Sequence, residues 1–204
     1  MPSCDIGALG MPGISEQAHS RDAVRFCDHY GIRNFSYIAL GLPVSWEKRP
    51  EDTLKSSYPD AWLQRYLEKS YLLYDPVVSI SRKSRLPFKW GHGKFISKFK
   101  KAERRVFHEA KEFKIVEGYS IPLFGPDGER AIFTITSGQA GWIGDIVEEF
   151  PAEIQLFAAQ FHAGQVEDFR PSREHRERPL SGRERECLLW TADGLTSDKI
   201  AENI

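Results

Sequence analysis

Cysteine is scarce. Cys4, Cys27 and Cys187 are odd in number and widely spaced, so they suit neither a disulfide framework nor a zinc site and read as free thiols. Long apolar runs are missing too: no stretch approaches the roughly 18 residues of a membrane-spanning helix. The first 15 residues carry a single charge, Asp5, without the basic start and apolar run of a signal peptide, so a cytoplasmic location is expected. Excess charge of one sign is also lacking. With 28 Lys and Arg against 29 Asp and Glu, the formal net charge is −1 at pH 7, and no global field would hold nucleic acid or an anionic membrane. Gly-x-Ser-x-Gly, His-Glu-x-x-His, a phosphate-binding loop and paired cysteines are all absent, and His92, His108 and His162 fall in different segments. These absences point away from an enzyme and from a metal site.

What is present is apolar and aromatic. The 204 residues are 41% hydrophobic and 12% aromatic, enough for one ordinary domain with something small beside it. Helical spacing of Ala23, Phe26, Cys27 and Tyr30 predicts a helix from Ser15 to Tyr30 that ends at Gly31. Asn34 to Leu42 is β-rich and stops at Pro43, predicting a strand, and the polar stretch 46–52 reads as a loop. Pro59 suits a first helical position, so a second helix runs from there to about Tyr71 and is broken by Asp75 and Pro76. A short strand is expected near Phe95. A third helix spans Ala102 to Val116, with Gly118 as its cap, and Tyr119–Phe124 and Arg130–Thr136 form a hairpin across Gly125, Pro126, Asp127 and Gly128. A last helix covers Pro151 to Val166; its Ile154, Phe157, Ala158, Phe161 and Gln165 could serve either a dimer surface or plain core.

This order predicts an α+β fold, an α/β/α sandwich with a central antiparallel sheet, over residues 1–169. Residues 170–179, RPSREHRERP, hold six charged residues and two prolines and read as a linker. Residues 180–204 follow as a separate small piece. Residues 1–169 carry 21 basic and 22 acidic side chains and the remainder seven of each, so neither part is a basic DNA handle.

One region gathers binding chemistry. Trp62 and Tyr66, four apart on a predicted helix, share a face that offers an N–H and an O–H. Asp75 adds an acceptor, held before Pro76, and Trp90 adds an aromatic wall. An amphiphile with an amide and carbonyls would need such a set. Spacing alone also accommodates core aromatics and a turn aspartate.

The residues themselves carry a resemblance. Tyr58-Pro59-Asp60-Ala61-Trp62, then Tyr66-Leu67-Glu68-Lys69, Tyr71, Asp75-Pro76 and Trp90, strongly resemble the ligand-binding half of LuxR-type quorum-sensing transcription factors. The stretch LSGRERECLLWTADGLTSDKIAENI from Leu180 resembles the opening of that family's helix-turn-helix domain. The resemblance implies a cytoplasmic homodimer that binds an N-acyl-homoserine lactone and controls transcription. It implies that Trp62 donates to the lactone carbonyl, Asp75 accepts from the amide N–H, Tyr66 lies beside the acyl carbonyl, and Trp90 packs by the lactone ring. Tyr58 matches an aromatic position that can reach the head group, Ser120 and Thr134 match hydroxyl positions that often bond the ligand directly or through water, and Gly118 matches a family glycine before the hairpin. Ile38, Leu40, Phe107, Ala110, Phe113 and Ile135 are candidates for the acyl pocket.

The helix-turn-helix is expected to be a fragment that stops inside or just after its first helix. DNA would then be read only by the complete domain of a parent protein, not by this chain. Leu188, Leu189, Trp190, Ile200 and Ile204 would lack partners, leaving the tail disordered or loosely docked. A family member acting as a dimerisation partner that inhibits full-length regulators is the alternative reading. A lactone-hydrolysing enzyme using Asp75 and a histidine is a third, and no nucleophile and base can be placed together for it.

Overall fold

Backbone pairing in the computed structural model, which describes residues 18–43, 53–169 and 180–202, builds one five-stranded sheet. Its strands are β1 (Asn34–Gly41), β2 (Leu54–Ser56), β3 (Phe88–Trp90), β4 (Glu117–Phe124) and β5 (Arg130–Ser137), in the order β2-β1-β5-β4-β3 and antiparallel throughout. Side chains alternate across it. Phe35, Tyr37, Tyr119, Ile121, Phe133 and Ile135 enter one core, against α1 (Ala18–His29), α6 (Trp142–Glu149) and α7 (Pro151–Phe169). Ser36, Ile38, Ile132 and Thr134 face the other way. That second face is roofed by α2 (Asp60–Glu68), α3 (Pro76–Ser81), α4 (Gly93–Ile96) and α5 (Lys101–Glu112), whose aromatic side chains form a separate core. The architecture is the α/β/α sandwich expected from element order. No helix among the described residues is long and apolar enough to cross a membrane.

Several local expectations change. Pro76 does not only end a segment: it sits at the first position of α3, where its missing N–H costs nothing, and the Asp75 carboxylate caps that helix by accepting from the Val77 N–H at 2.8 Å. Phe95 is helical rather than extended, because the His92 ring accepts from the Phe95 N–H at 3.2 Å and starts α4; the edge strand is Phe88–Trp90 instead. Helix α5 stops at Glu112, where Lys114 turns the chain at φ 63°, so Gly118 is not its cap but a strand residue. Strand β2 and helices α3 and α6 carry too short or too mixed a pattern to be read from periodicity. The α7 stripe is core: Ile154, Ala158, Phe161 and Gln165 are buried and Phe157 packs beside them, since this face lies on the sheet.

Residues 171–204 separate as their own unit. Its described part is helical, with α8 (Gly182–Ala192) and the shorter α9 (Ser197–Ala201). Local signals account for it. Ser181 Oγ accepts from the Glu184 N–H while Glu184 accepts from the Ser181 N–H, and Gly194 makes the turn at φ 85°. Leu188 and Leu189 are exposed and Ile200 is buried; Ile204, the 46–52 loop, Ser15 and the 170–179 linker lie outside the described residues.

The roof is tied together by charge. Glu109 of α5 is nearly buried, and both its oxygens accept from Lys69 Nζ at 2.8 Å while Oε1 also accepts from Arg105 Nε at 2.7 Å. Burial pushes the Glu109 carboxyl up, but the bonds from Lys69 and Arg105 outweigh it and hold the group down at about 2. A depressed carboxyl stabilises the fold above its unfolded value near 4.5 and loses that contribution as pH falls toward 2. Glu109→Gln should therefore cost about 1–2 kcal/mol at neutral pH, the modest figure reflecting partly exposed cations. Urea melts of the two chains should converge between pH 4.5 and 2; parallel curves would refute the assignment.

Candidate ligand site

Beneath that roof lies a cavity of about 960 Å³, its mouth included. Helix α2 and the residues before it supply one wall: Trp62 and Tyr66, four apart, share a single face as the helical period requires, and Tyr58 joins them from the segment before the helix. The Trp62 and Tyr66 rings meet edge-on with centroids 5.7 Å apart. Asp75 lines the same wall. It receives the Tyr66 hydroxyl proton on Oδ2 at 2.8 Å while its Oδ1 caps α3, so helix capping and site building converge on one carboxylate.

Protonation keeps this group a set of donors around one acceptor. Burial pushes the Tyr58 phenol up to about 12, beside the hydroxyls of Ser36 and Thr136, and pushes Tyr66 well above its usual range, with the neighbouring Asp75 adding to the effect. Both are O–H donors at any physiological pH. Burial also raises the Asp75 carboxyl from its ordinary value, opposed by the Tyr66 hydroxyl and the backbone N–H groups of Val77 and Val78. Trp62 is 3% exposed, and its indole N–H donates to no group among the described residues although the ring lines the cavity. Lining the cavity without a protein acceptor, that N–H is available to a ligand oxygen.

Sheet register makes the floor amphiphilic. Ser36, Thr134 and Ser120 lie directly opposite one another across β1, β5 and β4. Two residues along, the matching row is Leu54, Ile38, Ile132 and Pro122. The floor thus carries a hydroxyl row beside an aliphatic one, and Val106, Phe107 and Ala110 of α5 and Ile115 also line the cavity.

Of the residues singled out from sequence, Tyr58, Trp62, Tyr66, Asp75, Trp90 and Thr134 come together on the lining, as do Ile38, Phe107 and Ala110. Ser120 does not reach it; fully buried, it stands behind Thr134 and Trp90. Leu40 and Phe113 pack against the same core outside the lining. Ile135 faces the opposite core, because strand residues one apart point to opposite sides and Thr134 holds the cavity side. Ser36, Leu54, Ile132, Leu63, Val77 and Val78 line the cavity without having been singled out; the parity of Ser36 with Ile38 and of Ile132 with Thr134 was the available signal. Among the described residues no histidine lines the cavity: His92 and His108 are exposed, and His162 lies on the other face with Nδ1 2.9 Å from Tyr37 Oη. No group of metal-ligating side chains occurs among them either.

Residues 15–163 match the family model described as "Autoinducer binding domain". The chain belongs to that family. It is the autoinducer-binding domain of LuxR-type quorum-sensing transcriptional regulators, and its relatives bear this out. It is 33% identical over 166 residues to the quorum sensing-dependent transcriptional regulator RpaR of Rhodopseudomonas palustris, covering 81% of this chain and 66% of that one. It is 30% identical over 167 residues to the transcriptional activator AhyR of Aeromonas hydrophila, covering 80% and 64%. The chain thus spans a little under two thirds of these regulators' length. The fold of the autoinducer-binding domain is also that of Escherichia coli SdiA, with TM-score 0.62 at 20% identity over 92% of this chain and 77% of that one. SdiA in complex with octanoyl-rac-glycerol gives 0.63 at 20% identity over 99% and 83%.

Proposed function

We propose that this autoinducer-binding domain takes an N-acyl-homoserine lactone, with its head group between Trp62 and Asp75 and its acyl chain along the aliphatic row of the cavity floor. The observation that carries the reading is the pairing of an uncommitted, nearly buried indole N–H with a carboxylate on one wall. An amide N–H needs the carboxylate, and a lactone carbonyl needs the indole. Tyr66, its proton held by Asp75, lies beside the acyl carbonyl, Tyr58 offers a hydroxyl to the head group, Thr134 offers one from the floor, and Trp90 a ring face. Ile38, Phe107 and Ala110 meet the chain, joined by Ile132 and Val106; each buried methylene contributes about 0.8 kcal/mol, so cavity length sets chain preference. In the complete regulator, a homodimer, occupancy of this domain would control DNA binding by the helix-turn-helix domain that begins near Leu180. No catalytic step is assigned to the site.

A ligand that binds only the folded state stabilises it by mass action, about 2.7 kcal/mol at 100 times its Kd. For a chain of this size that raises the melting temperature by roughly 5–11 °C. Thermal melting against acyl-homoserine lactones of graded chain length, with octanoyl-rac-glycerol as an ester-linked comparison, tests the proposal. A large upshift for one lactone supports it. An upshift for the glycerol ester and none for any lactone would replace it with a monoacylglycerol site, since glycerol hydroxyls can also donate to Asp75.

A further inference from the structure

Behind the cavity floor three side chains form a buried line of hydrogen bonds that the head-group wall does not use. The Trp90 indole N–H donates to Ser120 Oγ at 2.9 Å, and Ser120 Oγ lies 2.9 Å from Thr134 Oγ1. Ser120 is 0% exposed, Thr134 4% and Trp90 6%, so water reaches none of them freely. Of the three, Trp90 and Thr134 line the cavity and Ser120 does not.

Counting protons orients this line. An indole N–H can only donate, so Ser120 Oγ must accept from it. The Ser120 hydroxyl has one proton of its own, and Thr134 Oγ1 is the one acceptor beside it. Were Thr134 to donate instead, the Ser120 proton would be left in a dry core without a partner, the costly outcome for a buried hydroxyl. With Ser120 donating, the Trp90 and Ser120 protons both have acceptors, and the Thr134 O–H is left to donate on its cavity side. Trp90, its N–H committed, shows the cavity a ring face and no donor.

We infer that Ser120 is a positioning residue that makes Thr134 a hydrogen-bond donor to an oxygen acceptor on the ligand, so that this floor position selects an oxygen-bearing group over a methylene. The inference rests on the lactone reading only for the identity of the guest; the relay itself belongs to the fold. Ser120 acts through Thr134 and does not touch the ligand.

The test has a ligand-free arm and a binding arm, both on the full 204-residue chain. In the first, the Trp90 indole resonance is assigned by 15N–1H correlation with Trp90→Phe, and its exchange with water is measured. Ser120→Ala should shift it and speed its exchange at least tenfold, and Ser120→Cys, which keeps a side chain of similar size, should give a smaller change. An indole resonance that ignores both substitutions overturns the relay. In the second arm, affinity for the tightest lactone of the panel is measured for Ser120→Ala, Thr134→Val and the double variant. Thr134→Val should weaken binding about tenfold, Thr134→Ser should restore it, and adding Ser120→Ala to Thr134→Val should cost nothing more. Losses that multiply in the double variant would mean that Ser120 contacts the ligand itself and would overturn the inference. If no lactone binds while the indole responds as expected, the lactone reading has failed and the relay has not; the cycle is then run with octanoyl-rac-glycerol, whose oxygens all accept.

Discussion

Asp75→Asn should abolish lactone-induced stabilisation while leaving the domain folded. The substitution is nearly isosteric. Asparagine caps helices as well as aspartate does, so the bond from the Val77 N–H, and with it the start of α3, survives. What changes is the atom at Oδ2, which now accepts the Tyr66 hydroxyl proton. With an amide NH2 there, Tyr66 must turn to accept, and a ligand N–H approaching the same group meets a donor. Losing a hydrogen bond to a charged acceptor and gaining a donor–donor clash in a buried site costs about 3 kcal/mol, or on the order of 100-fold in affinity. Isothermal titration beside a melting curve separates the two effects: affinity should collapse with the ligand-free melting temperature shifted by only a few degrees. Equal affinity for both chains would remove Asp75 from the head-group site. pH gives a second handle. Because burial raises the Asp75 carboxyl, its contribution to stability is full below the unfolded value near 3.8 and declines as pH rises through the folded one, opposite in sense to Glu109. In Asp75→Asn that decline should vanish.

Gly118→Ala should strongly destabilise the domain through the Trp90 ring. A Cβ at this position would overlap the six-membered part of the Trp90 indole and stand 2.9 Å from the Ile135 carbonyl oxygen. Trp90 is the direct cross-strand neighbour of Gly118, and its ring lies against the glycine to reach Ser120. An added methyl forces either the ring off its bond or β4 away from β5. Overpacking of this kind costs about 3 kcal/mol, which for a domain of this size lowers the melting temperature by roughly 6–12 °C. The loss should be specific to the tryptophan: in a Trp90→Phe background, where the smaller ring leaves room, Gly118→Ala should cost less than half as much. Additive losses would place the clash elsewhere. Ligand binding should weaken in the single variant as well, since a displaced Trp90 intrudes on the cavity and releases Ser120.

Much of this site is legible in the amino-acid sequence, because its wall is local. Trp62 and Tyr66 share a helix face by spacing alone, and Asp75-Pro76 is a start signal for the next helix as much as a stop for the last. The sheet floor is harder to read. Alternation shows that Thr134 and Ile135 point to opposite sides, but nothing in the strand says which side the α2–α5 layer will cover. Resemblance and apolar character therefore put both in one pocket, and the fold separates them. Strand β2 and helices α3 and α6 escape periodicity for a related reason. Three to eight residues hold too few turns or pleats for a period, and distant partners stabilise them, as when the Glu117 carboxylate accepts from the Gly141 and Ile143 N–H groups to start α6.

Composition and pattern by themselves determined that this chain is an α+β domain followed by a separate small piece, and its motifs determined the family. They also put the Trp62 and Tyr66 rings on one helix face, where the backbone period sets geometry. Tertiary structure decided what no local period contains. Antiparallel pairing across β1, β5 and β4 aligned Ser36, Thr134 and Ser120 in one row and Ile38 and Ile132 in the next, giving the floor a polar row beside an apolar one. The same pairing set Trp90 over Gly118 and placed Ser120 behind the cavity lining rather than on it. Hydrogen-bond direction in that row depends on three strands at once, and a chain read residue by residue does not carry it.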